Sequence, residues 1–172
     1  MSNIFLVSDH HFGHQNSCLW LREDGITKQR PFDTSDECDE IMIERHNAIV
    51  KPGDKVYFLG DLAMSKKHLP KIAKLNGTKI LIKGNHDQEK LSVYLEYFKD
   101  VRASHQLDKM LLTHIPIHPG SLSRWKANVH GHTHTGNVML DDGTKDKRYI
   151  CVCVEQINFT PVSLEELKTL ST

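Results

Sequence analysis

Ile4-Phe5-Leu6-Val7-Ser8-Asp9-His10-His11 decides how the rest of the chain is read, because an apolar run of strand length ends without a linker on a carboxylate and two imidazoles. The run lacks helical spacing and suits a buried strand that delivers Asp9 at its carboxyl end. The same arrangement recurs. Lys55 to Leu59 ends at Gly60-Asp61, Lys79 to Lys83 runs into Gly84-Asn85-His86-Asp87, Met110 to Thr113 ends at His114, and Val129-His130 leads into Gly131-His132-Thr133-His134.

Helical patterns separate these strands. Thr34-x-x-Glu37 resembles a capping box, and Cys38, Ile41, Met42 and Ile49 follow at helical spacing until Lys51-Pro52-Gly53. Pro70 suits the first turn of a helix that Asn76-Gly77 ends, and Glu89 to Phe98 has helical spacing at Leu91, Tyr94, Leu95 and Phe98. Val101 to Leu107 and Met110 to Thr113 read as a hairpin, Asn137 to Leu140 and Arg148 to Val154 as strands, and Ser163 with Glu166 as the cap of a last helix. Alternating strands and helices predict an α/β fold. With 172 residues and no linker or repeat, residues 1–172 form a single domain.

Composition narrows the function classes. Hydrophobic residues make up 38% and charged residues 26%, and Lys+Arg and Asp+Glu both number 22, a globular and electrically balanced chain. That balance disfavours a dedicated duplex-DNA binder, so nucleic acid is not the favoured partner. The N-terminus lacks the pattern of a secretory signal, no segment reaches membrane-spanning length, and the four cysteines, Cys18, Cys38, Cys151 and Cys153, have neither zinc spacing nor disulfide density. The expectation is a cytoplasmic protein with no membrane partner. Cys151 and Cys153 read as half-buried strand residues and stay outside the predicted site.

Of 12 histidines, nine (His10, His11, His14, His86, His114, His118, His130, His132 and His134) fall in or beside the strand-end clusters. Imidazole is the commonest metal ligand, and open α/β sheets bind ligands beyond the carboxyl ends of their strands. Clusters far apart in sequence can therefore converge on a dinuclear site. Asp9 and His11 can chelate one ion, a carboxylate such as Asp61 can bridge two, and Asn85 offers a neutral oxygen.

Asp-x-His, Gly-Asp, Gly-Asn-His-Asp, His and Gly-His-x-His, in that order from residue 9 to 134, resemble the calcineurin-like metallophosphoesterase family. Asp9 to His14, Arg30-Pro31-Phe32, Thr113 to Pro119 and the ending Val154-Glu155 through Pro161-Val162-Ser163 are similar to a small bacterial and bacteriophage subgroup, in which a phage protein would act in the host cytoplasm. The resemblance implies a sandwich of two mixed β-sheets flanked by helices. It also implies two divalent metals, Mn²⁺ first with Fe, Ni²⁺ or Zn²⁺ as alternatives, held by Asp9, His11, Asp61 and His134 and by Asp61, Asn85, His114 and His132. The implied reaction is hydrolysis of a small, possibly nucleotide-like phosphodiester or phosphomonoester. A metal-bridging hydroxide attacks, Asp61 bridges, and His86 is the general acid. The alternatives are a non-catalytic metal-binding scaffold of the same fold, or a nuclease.

Outside that set, His14, Arg30 and His118 are candidate substrate contacts, Arg30 through its bidentate fork. Asp87 is a candidate for orienting an imidazole from behind, or for forming the turn. His10 and His130 read as structural neighbours. Arg124 and Trp125 are weighed between holding a nucleotide base and loop packing.

Overall fold

The computed structural model describes residues 2–170 and resolves the strand-end pattern into two sheets. The first takes β1 (Ile4–Val7), β2 (Lys55–Phe58), β3 (Thr78–Ile82), β4 (Asp100–Arg102) and β9 (Val162–Ser163), in the order β4-β3-β2-β1-β9. Its first four strands are parallel and β9 runs antiparallel to β1. The second has the order β5-β6-β7-β8, from β5 (His105–Leu107), β6 (Met110–Leu112), β7 (Ala127–His130) and β8 (Tyr149–Cys151). Only β5 is antiparallel there. The fold is therefore α/β with two mixed sheets flanked by helices.

Alternation along the central strands explains the layering, since successive side chains point to opposite faces. Leu6, Tyr57, Leu59, Ile80 and Ile82 point toward the second sheet and form one buried cluster with Met110, Leu112, Ala127, Val129, Ile150 and Val152. Phe5, Val7, Val56, Phe58 and Leu81 point the other way, onto Cys38, Met42 and Ile43 of helix α1 (Ser35–Ile49) and onto Leu69, Ile72, Tyr94 and Phe98. Both faces of the first sheet are buried, which is why its strands read as nearly continuous apolar runs.

The Thr34 cap forms, with its hydroxyl accepting the Glu37 N–H at 3.1 Å, while Glu37 reaches the Asp33 N–H. At the other end of the chain, Ser163 and Glu166 make a reciprocal box at the start of α3 (Leu164–Leu170).

Four local expectations need correction. Lys66–Lys74 is a 3₁₀ helix with Pro70 inside it, and no α-helix starts at Pro70. Proline has no N–H to give an α-helical bond, and the tighter winding absorbs it. The segment Glu89 to Phe98 keeps one α turn, α2 (Leu91–Tyr94), because Tyr97 and Phe98 both donate to Tyr94 O and bend the chain into β4. Val101 to Leu107 is two strands in different sheets, so the hairpin is β5-β6 alone, turning at Asp108 and Lys109, both at positive φ. Asn137 to Leu140 is not a strand and contributes a single bridge, Met139 to Lys145. Among the described residues no helix is long and apolar enough to cross a membrane.

Beneath the site, His46 is fully buried, its ring stacked on Phe58 at 5.9 Å and its Nε2 on Asn76 O at 3.0 Å. Burial pushes its imidazole down from 6.5 to about 4. The folded state therefore keeps His46 neutral while the unfolded chain takes up a proton near its ordinary value. Stability is full above pH 6.5 and falls toward pH 4, by up to about 1.4 kcal/mol per pH unit. Urea unfolding across that window should show a shallower acid limb in His46→Gln, whose amide can still donate to Asn76. An unchanged slope would place the linkage elsewhere.

Candidate metal centre

Backbone pairing continues past the strands into the loops that carry the clusters. Asp9 N–H donates to Gly60 O at 3.0 Å, His11 N–H to Asp61 O at 3.0 Å and Gly131 N–H to His114 O at 2.9 Å. Ser8 and Cys153 form a parallel bridge that joins the end of β1 to the chain leaving β8. The two sheets therefore meet where the ligand-type residues emerge.

Two groups of side chains converge there, each able to hold a metal ion: Asp9, His11 and His134, and Asp61, His114 and His132, with ligand atoms inside each group within 4.8 Å of one another. Asn85 joins the second group, its Oδ1 2.8 Å from His114 Nε2. Both carboxylates divide their oxygens between two tasks. Asp9 Oδ2 accepts from Ser8 Oγ, from the His132 N–H at 2.9 Å and from Cys153 Sγ at 3.2 Å, while Oδ1 faces His11 Nε2 at 3.7 Å and His134 Nε2 at 3.8 Å. Asp61 Oδ1 accepts the His86 N–H at 2.8 Å, and Oδ2 stands between the groups, 3.6 Å from His11 Nε2 and 3.3 Å from His114 Nε2.

The imidazoles are oriented in the same way. His114 Nδ1 donates to Leu59 O at 2.6 Å, which turns Nε2 toward Asp61 and Asn85. His134 Nδ1 lies on Glu155 Oε1 at 3.0 Å and turns Nε2 toward Asp9. Asp9 Oδ1 and both ring nitrogens of His11 are buried without a hydrogen-bond partner among the described residues. Such atoms cost about 1–3 kcal/mol each unless something satisfies them. A divalent cation fits Oδ1 and Nε2 together, and the mixed oxygen and nitrogen set suits first-row metals.

Electrostatics agree with closely packed opposite charges. Burial disfavours the Asp9 carboxylate, yet His11, His114, His134 and Ser8 hold it below the ordinary range. Asp61 is lowered against burial by His114, while His114 is raised against burial by Asp61 and Asp9, and His134 against burial by Glu155. His132 is lowered by burial and by the neighbouring His114.

Five residues of this set, Asp9, His11, Asp61, His132 and His134, have φ between 48° and 69°. The left-handed region costs an L-residue about 1–2 kcal/mol, and such strain collects at functional sites. Close approach also uses glycine. A Cβ on Gly131 would overlap Ser8 Oγ and Asp9 Oδ2, and one on Gly84 would lie 2.6 Å from Asp61 N.

The remaining predicted residues divide. His86 is exposed, its ring 5.4 Å from that of His11. His14 is half-buried beside His11, at 5.7 Å between rings. Asp87 is buried and accepts the Asp61, Leu62 and Gly84 N–H groups at 2.8–3.0 Å, so it pins the two loops and bonds no imidazole among the described residues. Its carboxyl is raised by burial.

Arg30 is corrected as a substrate contact. It is 1% exposed, and its guanidinium is spent on Glu155 at 2.8 Å, on His10 O at 2.7 Å and on Asp9 O at 2.6 Å. His118 is exposed, accepts the Gly120 N–H at 3.1 Å and has no hydrogen bond or ring contact with the clustered residues among those described. His10 packs on Phe12 and Phe58, and His130 bonds Gly131 O, both behind the site.

Sequence reasoning missed Glu155, Ser8 and Cys153. Glu155 is buried between Arg30 and His134, and burial raises the Cys153 thiol so that it stays protonated as a donor to Asp9. Strand alternation placed Cys151 and Cys153 on one face, which was the available signal.

Two substitutions test this arrangement. Gly131→Ala should lower stability by about 1–3 kcal/mol and weaken Mn²⁺ binding, read by thermal unfolding and calorimetry. Glu155→Gln should weaken Mn²⁺ binding about 10–100-fold. Wild-type affinity in both variants would show that neither Asp9 nor His134 depends on its supporting contacts.

No protein-family model matches the chain. In the solved structure of the protein of unknown function AQ665 from Aquifex aeolicus the fold is similar, with a TM-score of 0.69 at 24% identity over 99% of this chain and 100% of that one. The uncharacterized protein MJ1445 of Methanocaldococcus jannaschii is 34% identical over 170 residues, covering 96% of this chain and 89% of that protein. At that identity and coverage, the chain belongs to the family of MJ1445.

Proposed function

We propose that this protein is a dinuclear metal-dependent phosphoesterase with a calcineurin-like fold, acting on small phosphate esters. One observation carries the reading. Asp61 Oδ2 stands between His11 Nε2 and His114 Nε2, with the unpaired Asp9 Oδ1 on one side and Asn85 Oδ1 on the other. Asp9, His11, Asp61 and His134 would hold one ion, and Asp61, Asn85, His114 and His132 the other, with Mn²⁺ the first choice. When bound, such a pair supplies Lewis-acid polarisation of the phosphoryl oxygens and an acidified water.

The chain's own residues do the rest. Asp61 carries the negative charge that offsets repulsion between two cations. His86 is placed beside this carboxylate by its own N–H bond to Asp61 Oδ1, and its ring is exposed with no side-chain hydrogen bond among the described residues. As an imidazolium it can give its proton to the ester oxygen as the phosphorus–oxygen bond breaks, a role worth about 10²–10⁴ in rate. An accessible imidazole next to the whole ligand set favours an enzyme over a non-catalytic scaffold.

Hydrolysis of p-nitrophenyl phosphate and bis(p-nitrophenyl) phosphate should disappear with EDTA and return with Mn²⁺. His86→Asn should lower kcat about 10²–10⁴-fold at undiminished metal content. Activity that survives in verified metal-free protein would end the dinuclear reading, and a parallel loss of metal in His86→Asn would remove its role as acid.

A further inference from the structure

Trp20 lies outside every ligand group, yet its ring centroid is 5.0 Å from that of His134, 5.0 Å from that of His14 and 6.3 Å from that of His11. In all three pairs the ring planes are nearly perpendicular, between 78° and 81°, and no aromatic ring stacks parallel on the indole among the described residues. The ring is half-buried, and its Nε1 makes no hydrogen bond among those residues. An amphipathic aromatic side chain left partly exposed beside the ligand cluster, with no ring stacked parallel on it and its donor unused, is available to a flat ligand.

The segment that carries it is tied down at both ends. The 3₁₀ turn Gln15–Leu19 leads into Trp20, whose N–H bonds Ser17 O and whose carbonyl accepts the Gln29 N–H at 2.8 Å. Leu21 and Lys28 then bridge antiparallel, and Arg30 fastens the return to Glu155 and to the carbonyls of Asp9 and His10. The same guanidinium thus supports the metal-facing histidine, through Glu155, and the loop that sets Trp20 against that histidine. A ring held this way loses little freedom when a ligand stacks on it.

We infer that Trp20 is a specificity-determining residue that forms an aromatic subsite beside the metal centre, selecting phosphate esters whose organic group is a flat aromatic ring. This rests on the phosphoesterase reading for its phosphate end, and on Trp20, with His14 as its neighbour, for the organic end. Stacking tolerates any flat π-system, so the class covers aryl and nucleoside esters alike.

The test uses two phosphonates that cannot be hydrolysed, phenylphosphonate and cyclohexylphosphonate, which share charge and differ in flatness. Titrated into Mn²⁺-loaded Trp125→Phe protein, where Trp20 is the remaining tryptophan, phenylphosphonate should quench the indole and bind about tenfold more tightly than its cyclohexyl counterpart. By calorimetry, Trp20→Ala should reduce that preference to less than about twofold and Trp20→Phe should keep most of it. Equal affinities in the parent protein, or a preference that survives in Trp20→Ala, overturns the subsite. Aromatic preference without hydrolysis of any ester would remove the phosphoesterase reading and leave the subsite standing, and hydrolysis without the preference would do the reverse.

Discussion

The Asp9 carboxylate carries more of this structure than any other group, because its two oxygens face different halves of the problem. Oδ2 gathers a hydroxyl from β1's end, a thiol from the chain leaving β8 and a backbone N–H from the loop after β7. Those donors come from both sheets, so the same oxygen that is satisfied by them also ties the sheets together where they meet. Oδ1 is left buried and unpaired, facing two imidazoles. A buried carboxylate with one saturated and one free oxygen is costly for an isolated fold and suited to a cation. Stability and the capacity to bind therefore pull against each other at one side chain.

Backbone strain tells the same story. Five of the clustered residues sit at left-handed φ, at about 1–2 kcal/mol each, and they persist because loop-to-loop hydrogen bonds over-determine them. Asp87 shows how, since one carboxylate holds Asp61, Leu62 and Gly84 by their N–H groups. With Gly131 and Gly84 leaving no room for a Cβ, the loops approach closely enough for their side chains to share a few ångströms of space.

Behind the centre, the Arg30–Glu155 pair acts as a brace. Breaking such a buried pair by removing one partner costs about 3–5 kcal/mol, and here the loss would reach the site twice, once through His134 and once through the carbonyls of Asp9 and His10. The sequence offers Arg30 as a candidate phosphate contact through its bidentate fork, and the structure spends that fork on Glu155 and on the carbonyls of Asp9 and His10. An arginine in a long polar loop gives no local sign of whether it turns inward. Its partner, Glu155, lies 125 residues away, and no periodicity links the two.

What the sequence determined by itself is everything carried by short-range pattern: the buried strands, their carboxyl ends at Asp9, Asp61, Asn85, His114 and His132, the caps at Thr34 and Ser163, and the α/β class, while the two mixed sheets were implied only by the family resemblance of its motifs. Apolar runs and caps are local physics, and a strand's end is visible where the run stops. Only the tertiary structure decided which sheet received β4 and which β5, how far Asn137 to Leu140 fell short of a strand, and which polar side chains turned into the interior to hold the site. Those outcomes depend on contacts between distant segments, on Ser8 meeting Cys153, Arg30 meeting Glu155 and Trp20 meeting His134. Their energies exist only once both partners are in place.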